Sequence, residues 1–95
     1  MRFSMAEYGD RRTAFQLWFG NAPYGIEAET VADEIEGAGL PRPCHVLVKT
    51  GGGRSYSFAI VDFNTQADMD ALQKSRFIWT SGKYANIRHA AHQRT

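Results

Sequence analysis

Two stretches, LWFGNA at residues 17–22 and YSFAIVDF at residues 56–63, decide the fold of this chain. Successive side chains of a β-strand leave on opposite faces, so each stretch divides into two sets. One set contains Leu17, Phe19, Ala59, Val61 and Phe63. The other contains Trp18, Tyr56, Phe58 and Ile60. The alternation predicts a sheet with a core on one face and an exposed aromatic surface on the other, and such a surface indicates a binding partner.

The first half of the chain is predicted to contain one strand and one helix. The strand covers about residues 14–19 and is expected to end at the turn-forming residues 20–25. Apolar residues recur at helical spacing over residues 27–38, and glycines at the end of that segment supply a stop. Residues 1–12 show no sustained periodicity and are predicted to form an arm.

The second half adds three strands and a helix. Strands at residues 44–49 and 56–63 are predicted to form a hairpin around a glycine-rich loop. Thr65, with Asp68 three residues later, is a candidate N-cap for a second short helix. A fourth strand is predicted near residues 84–88.

The order strand, helix, strand, strand, helix, strand is typical of an α+β fold. It predicts a ferredoxin-like βαββαβ sandwich, in which a four-stranded antiparallel sheet carries two helices on one face. The domain is expected to cover residues 13–90, with residues 91–95 as a polar tail.

Composition agrees with one globular domain, because 43% of the 95 residues are hydrophobic and 22% are charged. The sequence contains no apolar run that could span a bilayer or serve as a signal peptide, so we expect an intracellular protein, nuclear or cytoplasmic, without a membrane partner. The single Cys44 agrees with that location. Five of the ten acidic residues fall within residues 27–36, so the net charge of +1 conceals an acidic helix and a basic remainder.

Three motifs together resemble the RNA recognition motif family over residues 15–90. LWFGNA, followed by Pro23, resembles the six-residue ribonucleoprotein motif, and YSFAIVDF resembles the eight-residue one. GKYANIRHA, at residues 82–90, resembles the fourth-strand pattern. The resemblance implies that Trp18 and Phe58 stack on bases of single-stranded RNA or, as an alternative, single-stranded DNA.

The resemblance also implies roles for residues around this pair. Tyr56 and Ile60 would extend the aromatic surface, and Arg54 and Arg88 would contact phosphates. Tyr84 and Asn86 would frame the bound strand. The long motif departs from the family pattern at Ile60, which replaces a stacking aromatic, at Tyr56, which replaces a basic residue, and at Ser57, which replaces a glycine. The loss of one stack and one phosphate contact would lower the affinity by a few kcal/mol, and the expected affinity of the domain is micromolar.

Other classes of function find little support in the sequence. It contains no nucleophile elbow and no pair of catalytic carboxylates that stands out, so no enzymatic activity and no cofactor are predicted. The run Gly51-Gly52-Gly53 lacks the Lys-Ser/Thr that completes a phosphate-binding loop. Cys44-His45 and His89-x-x-His92 lack a second pair at zinc-finger spacing, so no metal is predicted.

Protein recognition is the alternative that the sequence leaves open. Some domains that share this fold bind peptides through an acidic first helix and an Arg-x-Phe motif, and Arg76-Phe77-Ile78-Trp79 has these residue types at a different spacing. A partner protein or a second copy of the chain could instead cover the aromatic face.

Overall fold

The computed structural model describes residues 3–51 and 56–90. In chain order its elements are β1 (Phe3–Tyr8), β2 (Gln16–Pro23), α1 (Ala28–Gly37), β3 (His45–Gly51), β4 (Tyr56–Asp62), α2 (Gln66–Lys74) and β5 (Asn86–His89). The strands form one antiparallel sheet in the order β1-β3-β4-β2-β5. The α+β class is confirmed, whereas the prediction of four strands is wrong because the sheet has five.

The additional strand is β1, which lies in the segment predicted to be an arm. It pairs with β3 from Phe3↔Gly51 to Tyr8↔Val46, so its partner is about 40 residues away in the chain. Ala6 and Tyr8 pack against the core. The strand ends just before Gly9, whose φ of +81° favours glycine, and a Cβ there would lie 2.2 Å from the Cys44 carbonyl oxygen. A strand of six residues has little periodic pattern of its own. Because β1 is defined by pairing with a distant segment, the sequence did not predict it.

The core lies between one face of the sheet and both helices. Leu17, Phe19, Ala59, Val61 and Phe63 are all fully buried, which confirms the predicted core face. The two helices complete this cluster with Val31, Ala32, Ile35, Met69 and Leu72. Burial of each large apolar side chain contributes about 1.5–3 kcal/mol, so this interface is the main source of stability. Within the described ranges, no helix is both long and apolar enough to cross a membrane.

The connection between α2 and β5 contributes the largest buried side chain, Trp79, which is 1% exposed. Its ring meets Phe77 and Phe19 edge to face, at centroid distances of 5.0 and 6.1 Å. The indole Nε1–H donates to the Gly20 carbonyl at 3.0 Å, which satisfies the one polar group of the side chain. This connecting segment therefore completes the core with Phe77 and Trp79.

The two helices begin differently. Thr65 caps α2 as predicted, since its Oγ1 accepts from the Asp68 backbone N–H at 3.1 Å. At the start of α1, Glu27 makes no side-chain cap, and Glu29 in the first turn suits the helix dipole. The acidic surface of α1 is partly balanced by Arg42, whose Nη1 lies 2.9 Å from Asp33 and 2.7 Å from Glu36.

Strand β2 continues beyond the point where the turn-forming residues were expected to end it. The register shifts between Phe19 and Ala22, so Gly20 and Asn21 form a bulge, and pairing resumes up to Pro23. Asn21 adopts a φ of +62°, a left-handed conformation that asparagine tolerates. Its Nδ2 donates to the Tyr84 carbonyl at 3.1 Å, which links the bulge to the segment before β5.

Candidate functional site

The side of the sheet opposite the helices is called the open face. Alternate residues of all five strands point to it, and their positions follow from the cross-strand register. Its principal side chains are Met5, Glu7, Trp18, Leu47, Lys49, Phe58, Ile60, Asn86 and Arg88. The helices cover only the other side, so this face is where a flat ligand could lie against the sheet.

Trp18 and Phe58 form an aromatic pair on the two adjacent strands β2 and β4. Their ring centroids are 5.7 Å apart and their planes are tilted by 34°. Both side chains are half-buried, and they line a shallow cavity of about 140 Å³ together with Tyr56 and the bulge at Gly20 and Asn21. Adjacent rings at this spacing offer a surface on which a nucleotide base can stack.

Gly20 fixes the position of the Trp18 ring. A Cβ on Gly20 would lie 2.7 and 2.8 Å from two carbons of the Trp18 six-membered ring, closer than van der Waals contact allows. The indole of Trp18 therefore lies against the backbone of Gly20, two residues further along the same strand, because Gly20 has no side chain. Glycine within a strand often marks such a close approach, and this is the signal by which sequence reasoning could have found the role of Gly20.

Cations lie against two of the rings. The Arg88 guanidinium carbon is 5.3 Å from the Trp18 ring centroid, and Lys83 Nζ is 5.3 Å from that of Tyr56. Hydrogen bonding with Tyr56 raises the pKa of Lys83 above the ordinary lysine value, at which the ammonium is already charged at neutral pH. Two positive charges thus stand beside the stacking surface, where a backbone phosphate could meet them.

The remaining predicted site residues fall into three groups. Ile60 pairs with Trp18 and is half-buried beside it, and Asn86 is exposed opposite Gly20. Tyr84 lies outside β5, which begins two residues later than predicted, and its ring packs under Arg76 at 5.6 Å. Arg54 and the predicted tail at residues 91–95 lie outside the described residues.

One end of the open face is closed by the connection between β1 and β2. Asp62, which is fully buried, accepts from the Thr13 backbone N–H at 2.8 Å and from Gln16 Nε2 at 3.3 Å. Its cross-strand neighbour His45 is also buried and places Nε2 2.6 Å from a Glu7 carboxylate oxygen. The sequence did not single out Asp62, because alternation places it on the open face and its burial depends on the distant connection between β1 and β2.

The nearby Cys44 does not resemble an activated nucleophile. Burial raises the pKa of its thiol, and Sγ donates to the carbonyls of Arg11 and Asp62 at 3.3 and 3.4 Å. Across the described ranges, no group of three His, Cys, Asp or Glu side chains is arranged to hold a metal ion. Comparisons with protein-family models, curated proteins and solved structures gave no match.

Proposed function

We propose that this chain is a single-stranded RNA-binding domain of the RNA recognition motif type and that RNA lies across the open face. The observation that carries the proposal is the Trp18–Phe58 pair, 5.7 Å between centroids, on the side of the sheet away from both helices. Aromatic rings that face solvent on a sheet contribute little to a core, and they suit the flat faces of bases.

The arrangement of the elements supports this family. With β1 set aside, the chain order is β2-α1-β3-β4-α2-β5, and β2 and β4 are adjacent at the centre of the sheet. We take this part to be a ferredoxin-like βαββαβ sandwich with β1 as an added edge strand. In that arrangement the two ribonucleoprotein-like motifs lie side by side, which is why Trp18 and Phe58 meet.

The mechanism is binding rather than catalysis. One base stacks on Trp18 and the next on Phe58, while Tyr56 and Ile60 extend the surface and Asn86 offers hydrogen bonds at its margin. Arg88 and Lys83 leave their rings to meet phosphates, because a phosphate attracts a cation more strongly than a ring does. Each stacked base contributes about 1–3 kcal/mol, so two bases and two phosphates are consistent with micromolar affinity.

The first test is a titration of the isotope-labelled full chain with a degenerate single-stranded RNA pool, followed by amide and indole NMR shifts. We expect shifts concentrated at Trp18, Phe58 and Arg88, and smaller shifts with matched single-stranded DNA. Trp18→Ala and Phe58→Ala should each weaken binding by about 5- to 140-fold. Ile78→Ala, which truncates an exposed apolar residue on the helix side, should leave the affinity unchanged.

A titration that leaves the open face unshifted would overturn the proposal and redirect the search to a partner protein or a second copy of the chain on the same face. Salt provides an independent check. Each phosphate contact should steepen the dependence of log K on log salt by about 0.7. Arg88→Gln should remove about that much, and Lys74→Gln, at an exposed position on α2, should remove none.

A groove on the helix side favours a second candidate function, the recognition of a basic peptide. Its volume is about 410 Å³, and it is lined by Asp33, Glu34, Gly37, Ala38, Ile78 and Thr80. Ile78 is 46% exposed there, and the last turn of α1 carries no basic residue. Asp33 already pairs with Arg42, and Glu34 accepts from the Thr80 backbone N–H at 2.8 Å, so a peptide that combines Lys or Arg with an apolar anchor would share or replace these partners.

This candidate predicts a different set of NMR shifts. A Lys/Arg-rich peptide with one Trp should shift Gly37, Ile78 and Thr80 and leave the Trp18 indole unchanged. Ile78→Ala should weaken that binding, whereas Trp18→Ala should not. Peptide shifts on the open face, or none at all, would reject the groove as the binding surface.

A further inference from the structure

The register of the five strands sorts the open face into two rows that cross the sheet. The first row runs through Arg88, Trp18, Ile60, Leu47 and Glu7. The second runs through Asn86, the bulge at Gly20, Phe58, Lys49 and Met5. Both rows extend beyond the aromatic pair onto β3 and β1. The added strand therefore lengthens the surface that a single strand could follow.

The two rows end with opposite chemistry. The first row ends at Glu7, whose side chain is 58% exposed and is held in place by the buried His45. The second row instead passes through the ammonium of Lys49 on β3 and ends at Met5 on β1, which is 65% exposed. Within the described part of the chain, Lys49 forms no ion pair. A carboxylate repels a phosphate and an ammonium attracts it, so the second row is the favourable path away from the aromatic pair.

The spacing of this path suits one further nucleotide. Neighbouring strands are about 4.8 Å apart, so Met5 lies roughly 10 Å from Phe58, with Lys49 between them. Lys49 can meet the phosphate that follows a base stacked on Phe58. The flexible thioether side chain of Met5 makes favourable contacts with the edge or face of an aromatic ring.

We infer that β3 and β1 supply a third nucleotide subsite, in which Lys49 binds a phosphate and Met5 packs against the next base of the same single strand. The inference rests on the proposed function, and it assigns a role to a strand that lies outside the βαββαβ arrangement. Contact through a thioether and an ammonium reads no base edge, so the subsite accepts any base. Its contribution appears only when the RNA is long enough to reach β1.

The test measures affinity by fluorescence anisotropy for labelled degenerate RNAs of two, three, four and six nucleotides, with the full chain. The unaltered chain should gain about 2- to 10-fold in affinity once the RNA reaches the third subsite. Met5→Thr, which keeps β-propensity and removes the thioether, should reduce that gain to the part that Lys49 supplies and leave the affinity for dinucleotides unchanged. Lys49→Gln should reduce the salt slope by about 0.7 for the longer RNAs only.

Lys74→Gln is the matched charge control, and thermal melting of Met5→Thr confirms that the sheet is intact. If Met5→Thr and Lys49→Gln match the unaltered chain at every length while Trp18→Ala loses binding, the third subsite is overturned and the proposed function stands. If the unaltered chain binds none of the RNAs, the third subsite and the proposed function are both overturned. A loss of affinity that is equal for dinucleotides and hexanucleotides would also overturn the third subsite.

Discussion

Trp18 and Phe19 are consecutive residues of β2, yet their rings enter opposite environments. Phe19 is fully buried and meets Phe77 and Trp79 edge to face at 5.9 and 6.1 Å. Trp18 is half-buried, tilts against Phe58 and carries the Arg88 guanidinium over its ring. Residue type does not distinguish a core aromatic from a surface aromatic in this sheet. What distinguishes them is their cover: the segment before β5 lies over Phe19 on the helix side, whereas Trp18 has only Phe58 and the Arg88 guanidinium against its ring.

The two faces also treat polar groups differently. On the helix side, the only polar group of Trp79 has a fixed backbone partner within the core. On the open face, the long cationic side chains of Arg88 and Lys83 lie against rings at exposed positions, where a change of rotamer costs little. A rigid core on one side and exchangeable cations on the other are what a binding sheet requires, because the ligand can replace the cations without disturbing the fold.

The largest expected effect separates the two neighbouring aromatic residues. Phe19→Ala removes a fully buried ring and should lower the free energy of unfolding by about 3–5 kcal/mol. Trp18→Ala should lower it by clearly less, because Trp18 is only half-buried and its contact with Phe58 adds just about 0.5–1.5 kcal/mol beyond the area that it buries. Urea denaturation followed by circular dichroism measures both. Equal losses of stability in the two variants would mean that Trp18 contributes to the core as much as Phe19 does, and that the sheet does not have one core face and one open face.

The next effect tests whether the open face is closed at one end. Asp62→Ala leaves the partly buried Thr13 backbone N–H without its carboxylate acceptor and should lower the free energy of unfolding by about 1.5–3 kcal/mol. Asp62→Asn keeps an acceptor oxygen and should cost less. Amide hydrogen exchange at Thr13 should accelerate in the Ala variant. Unchanged exchange would show that the carboxylate does not hold residues 9–15 over the sheet.

The sequence predicted those features that depend on neighbouring residues. The helix expected at residues 27–38 is observed as Ala28–Gly37, and Thr65 caps α2 through the backbone N–H of Asp68. The division of β2 and β4 into two faces also follows from alternation alone. The Trp18–Phe58 pair arises from this alternation and from the pairing of two adjacent strands, so the sequence was sufficient to predict where it lies.

The features that escaped prediction depend on partners far away in the chain. Strand β1 becomes a strand by pairing with β3, and Trp79 finds its acceptor at Gly20, 59 residues earlier. Asp62 alternates onto the open face, and it is buried only because residues 9–15 return to cover it. None of these contacts leaves a periodic signal, so local pattern and composition could not reveal them.

Trp79→Phe tests the fixed polar contact of the core. The variant keeps an aromatic ring but leaves the Gly20 carbonyl without its donor, so the free energy of unfolding should fall by about 1–2 kcal/mol. The variant also leaves Trp18 as the only tryptophan. Its fluorescence should be quenched by acrylamide more strongly than that of Trp18→Phe, which retains only the buried Trp79. Equal quenching in the two variants would contradict the assignment of one tryptophan to each face.

The smallest expected change in stability, with a clear local signature, comes from Gly20→Ala. Gly20 lies between the two faces, because its carbonyl accepts from Trp79 while its Cα lies under the Trp18 ring. The new Cβ forces the Trp18 ring outward, and the side chain can turn toward solvent, so stability should change by less than about 1 kcal/mol. The Trp18 indole NMR signal should shift, the Trp79 signal should stay, and RNA affinity should fall several-fold.

Gly37→Ala is the matched control, since a Cβ there meets no atom within 4 Å. It should stabilise α1 by up to about 1 kcal/mol and leave both indole signals in place. If Gly20→Ala instead shifted the Trp79 signal and left Trp18 unchanged, the bulge would be coupled to the core rather than to the open face. In that case packing by other side chains would hold the Trp18 indole close to the sheet and shape the shallow cavity beside it. The missing side chain at Gly20 would then not be the cause.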